Sequence, residues 1–254
     1  MISAARIKFI KALSQKKFRK EHGLFIAEGE KIVNELINNP AWEIRHIYGL
    51  ETWKEKHTLK QGIDFSLVSE KELGRISTLS TPNKVLALVN TPQHRAENVY
   101  LEEKYTLMLD DIQDPGNMGT LLRTADWFGI ENIICSENTV EAFNPKVIQA
   151  SMGSFMRVKT HYTSLPEFLN KLPEGFPVMG ALLEGENLHE YPLPAEGIIV
   201  TGNESKGISQ ALLKHINHKL HIPLYIHSSR TSYPESLNVA VAAGIILSHI
   251  RKKA

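Results

Sequence analysis

Apolar and polar positions alternate along this chain with two periods, and each change of period marks an element. A basic amphipathic helical pattern opens the sequence, without the apolar core and cleavage site of a secretory signal. Residues 23–29 (GLFIAEG) then predict a strand, and residues 30–38 a helix turning Ile32, Val33, Leu36 and Ile37 inward. Apolar runs at 44–50, 65–68 and 85–89 predict further strands with helices between them. A polar stretch over 91–104, with Pro92 and several charges, is the natural linker. Beyond it, strands predicted at 107–112, 133–135, 157–160, 178–183, 198–201 and 220–222 alternate with helices. Such alternation predicts an α/β fold with a mostly parallel sheet covered on both faces.

Three segments of the second half share a glycine-bearing or polar turn leading into a helix. In residues 107–130, Asp114-Pro115-Gly116 predicts a turn, Asn117 a helix cap and Gly129 the helix end. Arg123 lies inside that helix among Leu121, Leu122 and Ala125. In residues 197–209 a short buried strand leads to a polar loop held between Gly202 and Gly207. The third segment, PESLNVAVAAGIIL at 234–247, sets Ser236 and Asn238 where a helix begins, ahead of an apolar run uncharged until Arg251. A helix that is apolar all round is buried. The pattern therefore predicts polar groups at the positive end of a buried helix, which is a site and not a surface.

In this order and at these separations, the three segments resemble the signature motifs of the SpoU (TrmH-type) branch of the SPOUT RNA methyltransferases. Asn117, Gly119, Arg123 and Ala125 match the first motif, and Gly202, Asn203, Glu204, Gly207, Ile208 and Ser209 the second. Ile222-Pro223, Glu235-Ser236-Leu237-Asn238-Val239 and Ala242-Ala243 match the third. Residues 144–154 are similar to the family's segment between the first two motifs. The resemblance is close over residues 105–250 and looser over the first hundred.

The resemblance implies a SPOUT-type α/β catalytic domain at 105–254 with a C-terminal trefoil knot. It implies a small L30e-like αβ domain at 1–95 that binds the RNA substrate. Periodicity alone suggests a Rossmann-like sheet, and the knot rests on the resemblance. The implied activity is methyl transfer from S-adenosylmethionine to a ribose 2′-hydroxyl of rRNA or tRNA, by a cytoplasmic homodimer. The family's catalytic positions fall on Arg123, Asn117, Ser236 and Asn238. Its cofactor-binding positions fall on Gly202, Asn203, Glu204, Ile222 and Leu237, with Leu182 or Leu183 at the end of their strand. Gly202 would leave space for the ligand by lacking a side chain. Glu204 touches cofactor or target, or caps the N–H groups of its own loop.

Methyl transfer to a hydroxyl is an in-line displacement, so the protein must align the 2′-oxygen and stabilise it as its proton leaves. It requires no metal. A guanidinium gives up a proton reluctantly, so Arg123 suits holding a phosphate or the developing alkoxide better than acting as base. Asn117, Ser236 and Asn238 would orient the ribose and Arg123.

The charge distribution supports an RNA partner. The formal net charge is only +1, yet Arg6, Lys8, Lys11, Lys16, Lys17, Arg19 and Lys20 all precede the first acidic residue, Glu21. Taking these seven from 29 basic residues leaves 22 against 28 acidic ones elsewhere. Concentrated positive charge of this kind suits phosphate, and Arg6, Lys16, Lys17 and Arg19 are the candidate RNA contacts. A solvated helix face is the alternative. No window approaches the roughly 18 apolar residues of a membrane span.

Other features carry less. Cys135 is the single cysteine, predicted as a buried hydrophobe. His215, His218 and His221 straddle a helix end and a strand start, which argues against a shared metal. Ser205 lacks the G-x-S-x-G spacing of a nucleophile elbow. The loop at 224–234, with His227, Ser228, Ser229, Arg230, Thr231 and Tyr233, is longer than usual for the family; it contacts RNA, covers the cofactor, or is a surface excursion. Two rival readings are a Rossmann-type nucleotide enzyme, which would require the absent G-x-G-x-x-G, and a non-catalytic RNA binder of the same fold.

Overall fold

A computed structural model describes residues 1–59, 62–225 and 232–252. Its elements run α1 (Ala4–Ala12), α2 (Lys16–His22), β1 (Leu24–Glu28), α3 (Glu30–Asn38), β2 (Ile44–Gly49) and α4 (Glu51–Lys54). Then come β3 (Phe65–Leu67), α5 (Glu70–Ile76), β4 (Val85–Asn90), β5 (Tyr105–Leu109), α6 (Pro115–Trp127), β6 (Asn132–Cys135) and α7 (Pro145–Ser151). The remainder is β7 (Lys159–Tyr162), α8 (Leu165–Leu169), β8 (Val178–Leu182), β9 (Glu186–Asn187), β10 (Gly197–Thr201), α9 (Gln210–Leu213), β11 (His218–His221) and α10 (Val239–Arg251). They form two compact units: Met1–Gln93 with Glu141–Met156, and His94–Val140 with Arg157 onward.

The first unit holds a sheet of order β1-β4-β2-β3, with β4 antiparallel to both neighbours and β2 parallel to β3. Its core gathers Ile7, Ile10, Leu13, Ile26, Tyr48, Leu73, Ile76, Leu86 and Leu88. All four inward residues expected on α3 are buried. The opening helical pattern divides into α1 and α2, because the Arg19 guanidinium bonds the Leu13 and Ser14 carbonyls between them. The same guanidinium donates to the Glu141 carboxylate, and Arg19 is only 5% exposed. Arg19 is therefore withdrawn from the candidate RNA contacts: it is an internal tie, because its donors are turned inward.

Glu141 belongs to a segment that lies apart in sequence from the rest of this unit. Phe143 stacks on Phe25 at 4.8 Å, and Phe155 and Trp42 meet these rings edge to face. The Gln149 amide donates to the Glu28 carbonyl at 2.8 Å. Aromatic pairs in these geometries are worth about 0.5–1.5 kcal/mol each beyond the area they bury.

The second unit is a seven-stranded sheet of order β7-β6-β5-β10-β8-β11-β9, parallel at every pairing. Parallel strands buried on both faces need near-continuous apolar sequence, as in Ile198, Ile199 and Val200 of β10, all fully buried. Cys135 ends β6 fully buried, and burial pushes its thiol up. His218 pairs with the Tyr191 hydroxyl.

Helix α10 packs on α6. Its buried positions are Val239, Ala240, Ala243, Ile246, Leu247 and Ile250, whereas Val241 is 51% exposed. The expectation of a helix buried all round is thus corrected: the apolar run buries one face against α6 and shows the other. His227, Ser228, Ser229, Arg230 and Thr231 of the long loop lie outside the described residues, and Tyr233 is half-buried.

Candidate active site

The site forms where loops leave the carboxyl ends of adjacent parallel strands, the usual place for ligands in open α/β sheets. β8 lies between β10 and β11, so residues after Leu182, Thr201 and His221 emerge along one edge. Gly202, Asn203 and Glu204 follow β10, and Ile222 follows β11. Leu183, 70% exposed, follows β8 between them.

The loop after β10 folds on itself. Asn203 and Gly207 exchange two backbone hydrogen bonds, and the Asn203 side-chain oxygen accepts from the Ser205 and Lys206 N–H groups. Its amide donates to the Asp111 carbonyl, tying the loop to the end of β5 at 2.8 Å. Asp110 adds a second tie by accepting from the Ser209 N–H. A Cβ at Gly202 would overlap the Gly207 carbonyl and the Ile208 amide. The glycine is therefore demanded by the loop's own backbone, which revises the expectation that its missing side chain makes room for a ligand.

Helix α6 starts two residues earlier than Asn117. Asp114 is its N-cap, accepting from the Asn117 N–H, and Pro115 occupies the first helical position. This Asp-Pro pairing is a standard start signal that points to Asp114 as the cap. Relieved of capping, the Asn117 side chain points elsewhere. Its amide donates to the Glu204 carboxylate at 2.9 Å, and its oxygen accepts from the Asn238 amide at 2.8 Å. Asn238 is the N-cap of α10, its oxygen accepting from the Ala240 and Val241 N–H groups.

These bonds form a directed chain from the α10 backbone through Asn238 and Asn117 to Glu204. All three signature segments thus meet in one cluster. Two 13-residue helices bring their N-termini to it, each end carrying about half a positive charge. At their far ends, Arg251 of α10 donates to the Phe128 and Gly129 carbonyls just past α6. The two helices are thereby fastened side by side in the same direction. Gly129, with φ of +66°, closes α6: the Gly129 and Ile130 N–H groups return to the Asp126 and Ala125 carbonyls.

The structure does not join every candidate residue to this cluster. Arg123 is exposed six residues along α6, about 9 Å by helical rise, and has no hydrogen-bond or ion-pair partner among the described residues. Ser236 is exposed, two residues ahead of the α10 cap, and bonds no described residue. Leu237 is 49% exposed beside it, and Ile222 is half-buried. Ser205 only donates its N–H within the loop. Among the described residues, no group of three or more His, Cys, Asp or Glu is placed to hold a metal. Asp110 and the Asp111 carbonyl, which carry no signature in the sequence, brace the loop after β10, and Asp114, expected only as part of a turn, caps α6.

Residues 104–248 match the model of the SpoU rRNA Methylase family, and residues 4–87 match that of the MRM3-like substrate binding domain. The chain is 32% identical over 248 residues to the 23S rRNA (guanosine(2553)-2'-O)-methyltransferase RlmP of Bacillus subtilis, covering 97% of this chain and 96% of that one. It is also 32% identical over 155 residues to the 23S rRNA (guanosine-2'-O-)-methyltransferase RlmB of Neisseria meningitidis, 60% of each chain. A solved structure of the AdoMet-bound rRNA methyltransferase from Sinorhizobium meliloti superposes with a TM-score of 0.86 at 27% identity, over 100% of this chain and 97% of that one. By motif and by these matches, the chain belongs to the SpoU rRNA methylase family.

Proposed function

We propose that this protein is an S-adenosylmethionine-dependent RNA methyltransferase that modifies a ribose 2′-hydroxyl, with rRNA as the favoured substrate. The observation that carries the reading is the Asn238–Asn117–Glu204 chain at two helix N-termini. Similarity to the 23S rRNA enzymes of Bacillus subtilis and Neisseria meningitidis supports the choice of rRNA.

The residues present fit the cofactor. The exposed Leu183 and Leu237 and half-buried Ile222 offer apolar surface beside the backbone of the 202–208 loop. A mostly apolar wall with a few fixed polar groups is what a small-molecule site requires. When bound, S-adenosylmethionine supplies an electrophilic methyl group on a sulfonium. Gly202, Asn203, Ile222 and Leu237 would hold it, with Leu183 or Leu182 beside them.

The remaining work falls to fixed polar groups. Arg123, with no partner to give up, takes the phosphate next to the target ribose or the alkoxide as it develops. Asn117 and Asn238, already locked to each other, orient the ribose from the N-terminal side of α6, and Ser236 adds a hydroxyl. Glu204 holds the Asn117 amide in place. Charge developing on the 2′-oxygen is then met by oriented N–H dipoles that need no rearrangement.

The wider expectations follow the family. The exposed Val241 of α10 and Leu237 just ahead of it give the start of that helix apolar surface, which supports a homodimer built on that face. A threaded C-terminal knot and a cytoplasmic location belong to the same reading. No described helix is long and apolar enough to cross a membrane. Comparing 2′-O-methyl positions in total RNA from cells with and without the gene tests the function. One missing rRNA methylation is the expected result, and an unchanged map in cells that express the protein contradicts it.

A further inference from the structure

The outer side of α1 and α2 carries rings as well as charge. His22, the exposed last residue of α2, lies 5.0 Å from the Phe9 ring at an interplanar angle of 66°. It lies 6.5 Å from the Phe18 ring and within 9° of parallel to it. Each phenylalanine has a cation of its own. The Arg6 guanidinium stands 5.2 Å from the Phe9 centroid, and the Lys17 ammonium 5.9 Å from that of Phe18. Arg6 is itself fixed by donating to the Tyr48 hydroxyl, and the Tyr48 ring stacks on His46 at 4.4 Å.

Packing accounts for the inner members of this array but not for its end. Phe9 and Phe18 lean on the core that contains Tyr48. His22 remains in solvent, where a ring contributes little to stability. A cation at the end of α2 would serve the helix dipole, but Lys20 already supplies one. What His22 adds is a flat ring whose orientation is set by two others. Lys16, Lys17 and Lys20 are exposed on the same short helix and make no ion pair to any described residue. Glu21 is the single exposed acid in the first 28 positions, since Glu28 is buried against Ser77 and Thr78.

Resting on the RNA-methyltransferase reading above, we propose that His22, framed by Phe9 and Phe18, is a stacking site for an unpaired nucleobase of the substrate RNA, with Arg6 and Lys17 beside its flanking phosphates. Phosphate binding alone would need no rings. In a duplex the base faces are hidden, so a protein ring can stack only on a base splayed out of a loop or single strand. Rings interleaved with lysines are the arrangement that grips single strands, each stacked base contributing a sizeable share of the affinity.

The test uses the full-length protein with a fluorescent single-stranded oligoribonucleotide and a duplex of the same sequence. His22→Ala is expected to weaken single-strand binding by about ten-fold and duplex binding by less than about two-fold. His22→Phe, which keeps a ring but not the ring nitrogens, should retain single-strand affinity. Thermal unfolding of both variants checks that α2 is intact. Wild-type single-strand affinity in His22→Ala would overturn the proposal, as would equal weakness of His22→Phe and His22→Ala. S-adenosylmethionine titrated into the same preparation separates the two layers. A wild-type protein that binds neither cofactor nor RNA overturns the enzyme reading and this one with it. If it binds both and His22→Ala changes nothing, this inference alone falls.

Discussion

Asn238 donates its side-chain amide to the Asn117 side chain at 2.8 Å, across 121 positions of sequence. The bond closes the N-terminal end of the α6–α10 pair, as Arg251 closes the other. It also fixes which way the Asn117 amide faces: an oxygen that accepts from Asn238 leaves the NH2 group for Glu204.

Replacing Asn117 with Ala removes the link between Asn238 and Glu204 while leaving the Asp114 cap in place. Because the bonds are exposed, the stability loss should stay near 1 kcal/mol. Methyl transfer should fall by about a hundred-fold, as when one oriented donor is lost from a reacting centre. Single-turnover rates beside denaturant curves separate the two effects, and a rate within about three-fold of wild type would contradict the role.

Arg123→Ala removes a side chain without a described partner. Stability should change by less than about 0.5 kcal/mol, as at other surface positions. Cofactor binding, read by calorimetry, should persist while transfer drops by about a thousand-fold. Arg123→Lys should recover little, because an ammonium cannot reproduce the planar fork. Full activity in Arg123→Ala would remove this residue from the mechanism.

Gly202→Ala tests the loop itself. The added methyl has no space beside Gly207 and Ile208, so the loop must open at a cost of about 1–3 kcal/mol. The Asn203–Gly207 pairing should then weaken, seen as faster amide exchange at both residues, together with poorer cofactor binding. Unchanged exchange would show that the loop has more room than its geometry implies.

Acid sensitivity should be traceable to His161. Its ring is buried and its pKa pushed down to about 4, chiefly by that burial, with His94 and Lys159 adding and the Arg95 carbonyl opposing. Nδ1 bonds that carbonyl at 3.1 Å, and Nε2 meets the Asn132 side-chain oxygen at 2.9 Å. The unfolded chain takes up this proton near the ordinary value of 6.5, before the native state does. Stability is therefore full above pH 6.5 and falls as pH drops toward 4, by up to about 1.4 kcal/mol per pH unit. In His161→Gln that slope should flatten across the window, and denaturant midpoints at pH 7, 6 and 5 would reveal a slope that does not.

What could be read from sequence was whatever local period decides. The buried set of α3 follows from apolar spacing alone, and the central strands fall within a few residues of the apolar runs. Errors arose where a distant partner decides. Arg19 has the sequence context of a surface cation, and only the fold brings Glu141 to it. The run of small apolar residues in α10 cannot say which face α6 will cover. The cap expected at Asn117 falls on Asp114 for a local reason, since Asp114-Pro115 marks the start of α6. Asn117 and Asn238 are legible as polar groups at helix starts, whereas the pairing of Asn117 with Glu204 follows only from the fold.

The inclusion of residues 141–156 in the N-terminal unit dictates an order of events on the ribosome. Phe25 and Trp42 are made long before Phe143 and Phe155, the rings that will cover them. Until the 47 residues at 94–140, which belong to the second unit, and then the segment at 141–156 have been translated, the nascent N-terminal unit keeps an uncovered aromatic patch and an Arg19 without its carboxylate. Such an interval favours self-association or chaperone capture. Residues 1–93 moved alone onto another enzyme would therefore carry Phe25 and Trp42 without the rings that cover them, and Arg19 without Glu141.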